Sequence, residues 1–141
     1  MTAGGCRVLV VEDHALVTEA MTILLEAGGH DVRCAATVAG SVACGLEWSP
    51  HVMLLDLTLP DGSGLEVIQQ LREAGALPPV TVALTGHDDP AIIARCRAAG
   101  CHDVLLKPVP ARELQQHVAR WAAVARGTTP PASSADAAGG E

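Results

Sequence analysis

The 141-residue sequence lacks tyrosine and phenylalanine, and it contains two tryptophans and a single lysine, Lys107. Its formal net charge is −7. Proteins that hold nucleic-acid backbones use clusters of lysine and arginine, and those that bind single strands stack bases on aromatic rings. The composition therefore predicts that the chain makes no direct contact with nucleic acid.

Long apolar runs are also missing, although 49 % of the residues are hydrophobic. None of the runs approaches the roughly 18 uninterrupted apolar residues of a membrane span. The start of the chain has no charged segment ahead of a long apolar stretch, and its first apolar run ends in two acids, unlike a secretory signal. We expect a cytoplasmic protein that does not contact membranes.

The five cysteines are an odd number and include no CxxC pair. This pattern predicts neither a disulfide framework nor a zinc site. We expect each cysteine to serve as a small buried apolar residue. They are Cys6, Cys34, Cys44, Cys96 and Cys101.

Short β-branched or leucine-rich runs alternate with longer amphipathic stretches, which predicts five strand–helix units around a parallel sheet. The strands are predicted at residues 6–11, 31–36, 51–57, 80–85 and 103–107. The helices are predicted at residues 14–27, 37 or 38–48, 63–74, 90–99 and 111–124. Helical spacing gives the first helix an apolar face made of Leu16, Ala20, Ile23, Leu24 and Ala27.

The last part of the sequence differs in composition from the rest. After Arg126 it consists mainly of proline, glycine, serine and alanine without periodicity. Such segments cannot bury enough apolar surface to fold. We therefore predict one domain at residues 1–126, followed by a disordered tail or linker at 127–141.

Polar side chains stand at the carboxyl ends of four predicted strands. Glu12 and Asp13 follow the first strand, and Asp56 lies at the end of the third. Thr85 ends the fourth strand and Lys107 ends the fifth. Because ligands of open parallel sheets bind outside these strand ends, we expect the five groups to converge on one rim.

These residue types fit one reaction. Carboxylate oxygens are the ligands that Mg²⁺ prefers, so Glu12, Asp13 and Asp56 make a sufficient magnesium site. A carboxylate can also form an acyl phosphate, which makes Asp56 the candidate nucleophile. Lys107 and the hydroxyl of Thr85 are suited to two oxygens of a transferred phosphoryl group.

The sequence resembles the receiver domain of response regulators, the CheY-like family. The motifs VLVVED, LLDLTLPDGSGLEVI, ALTG and AGCHDVLLKPV occur in the family's order, and the resemblance covers about residues 5–125. It implies an α/β fold with a doubly wound five-stranded parallel sheet, strand order 2-1-3-4-5, which is the flavodoxin-like (βα)5 architecture.

The resemblance also implies a role for each matching residue. Glu12 and Asp13 would be the acidic pair for Mg²⁺, with the backbone carbonyl of Thr58 as a further ligand. Asp56 would be the phosphoacceptor, Thr85 the switch hydroxyl, and Lys107 the phosphate-pairing lysine. The family usually has a cis peptide before the proline that matches Pro108.

In such a domain the phosphoryl group comes from a histidine kinase or a histidine phosphotransfer domain. The surface formed by the fourth helix, fifth strand and fifth helix then changes. Such a domain catalyses only its own phosphorylation and dephosphorylation and is otherwise not an enzyme. The resemblance fits a stand-alone regulator and the receiver part of a hybrid histidine kinase.

One position departs from the family pattern. The family commonly has an aromatic residue three positions before the lysine, and here that residue is Val104. Either the coupling between Thr85 and this position is weakened, or the signal leaves through the loop after the fourth strand. Thr58 and His87 occupy sites that tune acyl-phosphate lifetime in the family.

Two other functions fit parts of the pattern. A haloacid-dehalogenase-like phosphatase also combines an aspartate nucleophile, lysine and Mg²⁺, but it needs a second aspartate where this chain has Thr58. A phosphorylation-independent interaction domain would keep the fold alone. His14, His87 and His102 lack the spacing of a metal motif, so we expect surface or loop roles for them.

Overall fold

The predicted strands and helices are present, and their ends differ from the prediction by at most one residue. A computed structural model describes residues 5–86 and 88–125. The predicted tail at 127–141 and the position of His87 lie outside the described residues. The strands are β1 (Arg7–Val11), β2 (Asp31–Ala35), β3 (Val52–Asp56), β4 (Thr58–Leu59), β5 (Gly62–Ser63), β6 (Val80–Thr85) and β7 (Asp103–Leu106). The helices are α1 (Ala15–Ala27), α2 (Val38–Trp48), α3 (Gly64–Glu73), α4 (Pro90–Ala99) and α5 (Ala111–Ala125).

The main sheet has five strands in the order β2-β1-β3-β6-β7, and all of its pairings are parallel. The short strands β4 and β5 form a separate antiparallel ladder in the loop after β3. Without that ladder the order is 2-1-3-4-5, so the predicted fold is confirmed. All five carboxyl ends consequently lie at the same rim of the sheet.

Side chains alternate between the two faces of the sheet, as successive residues of a strand do. In β1, Val8 and Val10 join the core beneath α1 and α5, whereas Leu9 and Val11 join the core beneath α2, α3 and α4. The sheet is therefore covered on both faces. The inward residues predicted for α5 are all buried: Leu114, Val118 and Trp121.

The apolar face predicted for α1 is wrong in most of its members. Leu16 and Ile23 are 80 % and 65 % exposed, and the buried residues of the helix are Met21 and Leu25. Apolar residues occur around most of this helix, so helical spacing does not by itself select the buried stripe. Of the five predicted residues, Leu24 packs partly against the core, and the exposed ones are Leu16, Ala20, Ile23 and Ala27. No helix within the described ranges is long and apolar enough to cross a membrane.

The prediction that the cysteines are buried is confirmed for Cys6, Cys96 and Cys101 and is wrong for Cys34, which is exposed. Cys44 is half-buried, and none of the five cysteines, all of which lie in the described ranges, forms a disulfide bond. Burial, followed by the neighbouring thiol of Cys96, raises the pKa of Cys101 to about 12. These two thiols therefore stay protonated and act as packing groups where α4 ends.

Two of the helices that start at the carboxyl rim, α3 and α4, begin with side-chain caps. Ser63 accepts a hydrogen bond from the backbone N–H of Leu65, and Glu66 accepts one from the backbone N–H of Ser63, which together form a capping box. Asp89 caps α4 by accepting from the backbone N–H of Ala91. These caps fix the helix starts that follow β3 and β6.

The backbone passes very close to Asp56 at Gly64, the first residue of α3. A Cβ atom at this position would overlap the carbonyl oxygen of Asp56 and would lie 3.1 Å from the side chain of Leu55. The Gly64 N–H donates a hydrogen bond to the carbonyl of Leu57 at 2.9 Å. Glycine is therefore needed here so that α3 can pack against the end of β3.

We predict that Gly64→Ala lowers the free energy of unfolding by about 1–3 kcal/mol, the usual cost of forcing extra atoms into a packed site. Gly28→Ala is the matched control, because a Cβ there would meet its neighbours at an ordinary 3.4 Å. It should change stability by no more than about 0.5 kcal/mol. Urea denaturation of the three proteins measures both values, and equal stability of Gly64→Ala and the parent would contradict the prediction.

Candidate functional site

Lys107 joins two buried carboxylates at the carboxyl rim. Its Nζ atom lies 3.3 Å from Oδ2 of Asp56 and 3.6 Å from Oε1 of Glu12. Asp56 ends β3, Glu12 follows β1, and Lys107 follows β7, so three strand ends contribute. The Lys107–Pro108 peptide is cis, as the resemblance implied.

Four side chains at this rim form a compact cluster, to which we give the name acidic cluster. One ligand atom from each of Glu12, Asp13, His14 and Asp56 lies within 4.8 Å of every other. Glu12 and Asp56 are buried, whereas Asp13 and His14 are exposed. The rim therefore gathers three carboxylates and one imidazole around a small volume.

Glu12 has one carboxylate oxygen with partners and one without a hydrogen-bond donor. Its Oε2 accepts a hydrogen bond from the His14 backbone N–H at 3.2 Å and also lies 2.9 Å from His14 Nδ1. Its Oε1 is buried, and none of the residues that the structure describes donates a hydrogen bond to it. Glu12 thus accepts a backbone hydrogen bond just before α1 with one oxygen and presents the other to the Lys107 ammonium.

A cleft of about 290 Å³ opens above Asp56. Thr58 closes one side, and its backbone N–H donates a hydrogen bond to Oδ1 of Asp56 at 3.1 Å. Thr85, Gly86 and Lys107 line the other sides, and the Lys107 N–H donates to the Thr85 carbonyl at 2.7 Å. Asp56, Thr85 and Lys107 are thus brought together as the sequence predicted. The proposed ligand role of the Thr58 carbonyl stays a prediction.

His14 lies on the surface, as predicted, but its ring also reaches the acidic cluster. Its Nδ1 lies 3.6 Å from Oδ1 of Asp13 as well as close to Glu12. The hydrogen bond with Glu12 and then the charge of Asp13 raise the pKa of His14 above its usual value. His102 is exposed in the loop before β7, at the other end of the sheet.

Val104 occupies the position where the family commonly has an aromatic residue. It is half-buried in β7 and packs against the core beneath α2, α3 and α4. It pairs with Ala83 of β6 in the sheet, two residues before Thr85. A weakened coupling between Thr85 and Val104 stays a prediction, and so does a signal that leaves through the loop after β6.

The sequence reasoning missed the part played by Asp61. Its two carboxylate oxygens accept hydrogen bonds from the backbone N–H groups of Val38 at 2.7 Å and Ala39 at 3.2 Å. Asp61 therefore caps the start of α2 from the loop that follows Asp56. A turn motif such as PDG signals a turn acid but gives no sign of a partner 23 residues away.

An open parallel sheet with carboxylates and a lysine at its carboxyl rim defines a class of phosphate-handling α/β domains, and the comparisons identify the family. A family model described as the response regulator receiver domain matches residues 8–119. The chain therefore belongs to the response regulator receiver domain family. This membership favours the receiver interpretation over the haloacid-dehalogenase-like alternative.

Curated relatives show the same relationship in sequence. The chain is 34 % identical over 122 residues to the transcriptional regulatory protein KdpE of Mycobacterium tuberculosis, a match that covers 86 % of this chain and 52 % of KdpE. It is 32 % identical over 112 residues to the DNA-binding response regulator MtrA of Mycobacterium leprae, covering 79 % of this chain and 49 % of MtrA. The chain thus spans about half the length of the curated relatives it matches.

Solved structures agree with the fold. The signal receiver domain of a putative LuxO repressor protein from Vibrio parahaemolyticus has a TM-score of 0.80 and 25 % identity, covering 86 % of this chain and 92 % of that one. The receiver domain of sensor histidine kinase PA1611 from Pseudomonas aeruginosa has a TM-score of 0.75 and 26 % identity, covering 84 % and 98 %. That structure has a magnesium ion in its active-site cleft.

We predict that Asp61→Ala lowers the melting temperature at neutral pH, because the backbone N–H groups of Val38 and Ala39 at the start of α2 lose their acceptor. Hydrogen bonding from the Val38 backbone lowers the pKa of Asp61 below its ordinary value of 3.8. The stabilisation is therefore fully present above that ordinary pKa and is lost as the pH falls through the folded-state pKa.

Thermal unfolding of the parent and of Asp61→Ala between pH 7 and pH 3 tests this prediction. The difference in melting temperature should shrink as the pH falls. Asp31→Ala removes an exposed carboxylate at the start of β2 and serves as the matched control. A difference that is the same for both variants, or that does not change with pH, would contradict the role given to Asp61.

Proposed function

We propose that Asp56 is the phosphoacceptor of this receiver domain. A carboxylate oxygen of Asp56 attacks the phosphorus of a phosphohistidine on a histidine kinase or histidine phosphotransfer domain, and the bond from phosphorus to the histidine nitrogen breaks. The observation that carries the proposal is the buried Asp56 carboxylate at the floor of the cleft, 3.3 Å from the only lysine of the chain. The Thr58 N–H fixes its other oxygen.

The donor set at the rim fits Mg²⁺. Carboxylates of Glu12, Asp13 and Asp56, with the backbone carbonyl of Thr58, would hold the ion, and oxygens of water and phosphate would supply its remaining ligands. The buried Oε1 of Glu12, without a hydrogen-bond donor among the described residues, supports a cation here. When bound, Mg²⁺ neutralises charge on the phosphoryl oxygens. The magnesium ion of the PA1611 receiver supports the same assignment.

Two further groups act on the transferred phosphoryl group. The Lys107 ammonium, now shared between Asp56 and Glu12, pairs with one phosphoryl oxygen, and the Thr85 hydroxyl donates to another. Phosphoryl transfer needs such neutralisation and positioning more than it needs covalent help from the protein. The open space around Gly86, where a Cβ would meet no described atom within 4 Å, gives a donor room to approach.

The chemistry is limited to the domain itself: it catalyses its own phosphorylation and dephosphorylation. The proposed domain occupies residues 1–126 and functions without direct contact with nucleic acid. KdpE is named as a transcriptional regulatory protein, but it is about twice as long as the segment that this chain matches. A regulator and a sensor kinase both occur among the similar proteins. The proposal applies to a receiver in either setting.

An apolar groove supports a protein as the phosphodonor. The groove measures about 950 Å³ and lies between α1 and the chain that joins β7 to α5. Glu12 and Lys107 line the groove as well, so it continues into the acidic cluster. A protein that docks there would bring its phosphohistidine beside Asp56. The apolar walls include Leu16, Val17, Ile23, Pro108 and Val109.

We predict that incubation with Mg²⁺ and acetyl phosphate adds one phosphoryl mass to the chain. The reason is that a small donor reaches the cleft without any partner protein, while the metal and Lys107 neutralise the phosphoryl oxygens. Intact-mass spectrometry measures the adduct. Asp56→Ala should give none, and chelation of Mg²⁺ should abolish the adduct of the parent protein.

Asp31→Asn is the matched control, because it changes an exposed acid at the start of β2, at the opposite end of the sheet from the acidic cluster. It should be phosphorylated like the parent. An adduct that persists in Asp56→Ala would sink the assignment of the phosphoacceptor. Multiple-turnover hydrolysis of a phosphomonoester would instead revive the phosphatase interpretation.

We predict that Leu16→Glu slows phosphoryl transfer from a phosphorylated histidine kinase or phosphotransfer protein at least about tenfold. The substitution removes the free energy that the complex gains by burying the leucine, and it places a charge in an apolar contact. A loss of about 1.4 kcal/mol is enough to weaken the affinity for the partner tenfold. Transfer from acetyl phosphate should be unchanged, because the small donor does not use the groove. Radiolabelled phosphotransfer and intact mass measure the two rates.

Leu46→Glu provides the control, since Leu46 is an exposed leucine of α2 outside the groove. It should leave both rates close to those of the parent. If Leu16→Glu slows the small donor as much as the protein donor, the substitution has damaged the cleft. If it slows neither, the groove is not the docking surface.

A further inference from the structure

His14 is a nitrogen donor within a group of carboxylates that the proposed function leaves unused. Its Nδ1 contacts Glu12 Oε2 at 2.9 Å and Asp13 Oδ1 at 3.6 Å. With Asp56 these residues bring four ligand atoms within 4.8 Å of one another. Two ligand atoms on opposite sides of an ion lie about 4.2 Å apart when each bond is about 2.1 Å long. The four atoms are already close to that spacing, so small side-chain movements would let all of them bind one ion.

The surroundings of His14 do not give the ring a packing or capping role. Its side chain is 71 % exposed, and although His14 is the first residue before α1, its ring makes no capping hydrogen bond to the described residues of that helix. The ring contacts carboxylates and can adjust without disturbing the core. Its position is therefore suited to coordination.

A second observation indicates that the cluster is built for a cation. Glu12 is 3 % exposed, and its buried Oε1 accepts no hydrogen bond from the described part of the chain. Lys107 Nζ stands 3.6 Å from this oxygen but is also 3.3 Å from Asp56. Buried carboxylates require pairing or metal coordination, and one shared ammonium does not balance the two buried acids, Glu12 and Asp56.

We propose that His14 turns the acidic cluster into a mixed nitrogen–oxygen site for divalent transition metals such as Co²⁺ and Zn²⁺, which compete there with Mg²⁺. The ligands are His14 Nδ1 and the carboxylates of Glu12, Asp13 and Asp56. This inference rests on the metal site of the proposed function. Imidazole is a ligand for zinc, copper, iron and nickel, whereas Mg²⁺ keeps to oxygen, so His14 contributes to the affinity of one class of metal alone.

Titration of the metal-free protein with Co²⁺ and, separately, with Mg²⁺ tests the proposal at one fixed pH. Visible absorption of bound Co²⁺ gives its dissociation constant, and competition gives that of Mg²⁺. His14→Ala should weaken Co²⁺ binding about tenfold or more, at least the loss seen when a ligand's supporting group is removed. The dissociation constant for Mg²⁺ should change much less. His102→Ala, which removes an exposed histidine at the opposite end of the sheet, should change neither.

A direct measurement complements the affinities. Zn²⁺ should shift the ring-nitrogen resonances of His14 in nuclear magnetic resonance spectra, and Mg²⁺ should leave them near their metal-free positions. Equal weakening of both metals in His14→Ala would overturn the proposal, because His14 would then be positioning the acids. Unchanged Co²⁺ affinity in that variant would overturn it as well, as would Co²⁺ binding that Asp13→Ala does not weaken.

Failure of this inference is distinguishable from failure of the proposed function. If His14→Ala keeps its Co²⁺ affinity while the parent still gives the Mg²⁺-dependent adduct on Asp56, the role of His14 alone is wrong. If acetyl phosphate gives no adduct, the phosphoacceptor assignment fails. The Co²⁺ titration is read without any phosphodonor, so its result stands separately.

Discussion

The ion pairs of Lys107 hold the rim together. Asp56 and Glu12 are 6 % and 3 % exposed, and taking a carboxylate out of water costs several kcal/mol unless an opposite charge compensates it. The single lysine of the chain supplies that charge to both acids, at 3.3 and 3.6 Å. It can reach them because β7 ends at the same rim as β1 and β3, with β6 between β3 and β7. The parallel order of the sheet is thus what makes the chemistry available.

The loop after β3 is held by contacts that do not take part in that chemistry. Gly64 lets α3 approach the Asp56 carbonyl, and Asp61 ties the same loop to the start of α2. The capping box of Ser63 and Glu66 fixes the entry into α3. Since the loop is tied at three places, its backbone holds the Thr58 N–H within hydrogen-bond distance of the Asp56 carboxylate.

The sequence predicted the parts of the fold that depend on local pattern. The bounds of α4 were predicted without error because Pro90 begins it and Gly100, with a left-handed backbone, ends it. The candidate site residues lie together because each one ends or follows an apolar strand, and parallel strands carry their ends to one rim. Such signals lie within a few residues of the feature that they predict.

The errors arose where the answer depends on distant residues. Leu16 and Ile23 have helical spacing, but which stripe of α1 is buried is decided by the packing of α5 and the sheet, which leaves Met21 and Leu25 inside. The role of Asp61 was missed because its partners lie at the start of α2, far away in sequence. The residues next to them in sequence reveal neither the buried stripe of α1 nor the partners of Asp61.

The apolar groove and the rim around Asp56 have two residues in common. Glu12 and Lys107 line the apolar groove and also belong to the rim around Asp56. The Lys107 side chain is 31 % exposed. A protein that covers the groove removes water from this side chain, and a lower local dielectric strengthens its attraction for the carboxylates and for a phosphoryl group. In the proposed function, docking and phosphoryl transfer are therefore coupled through one ammonium group, an effect that a small phosphodonor in open solvent does not have.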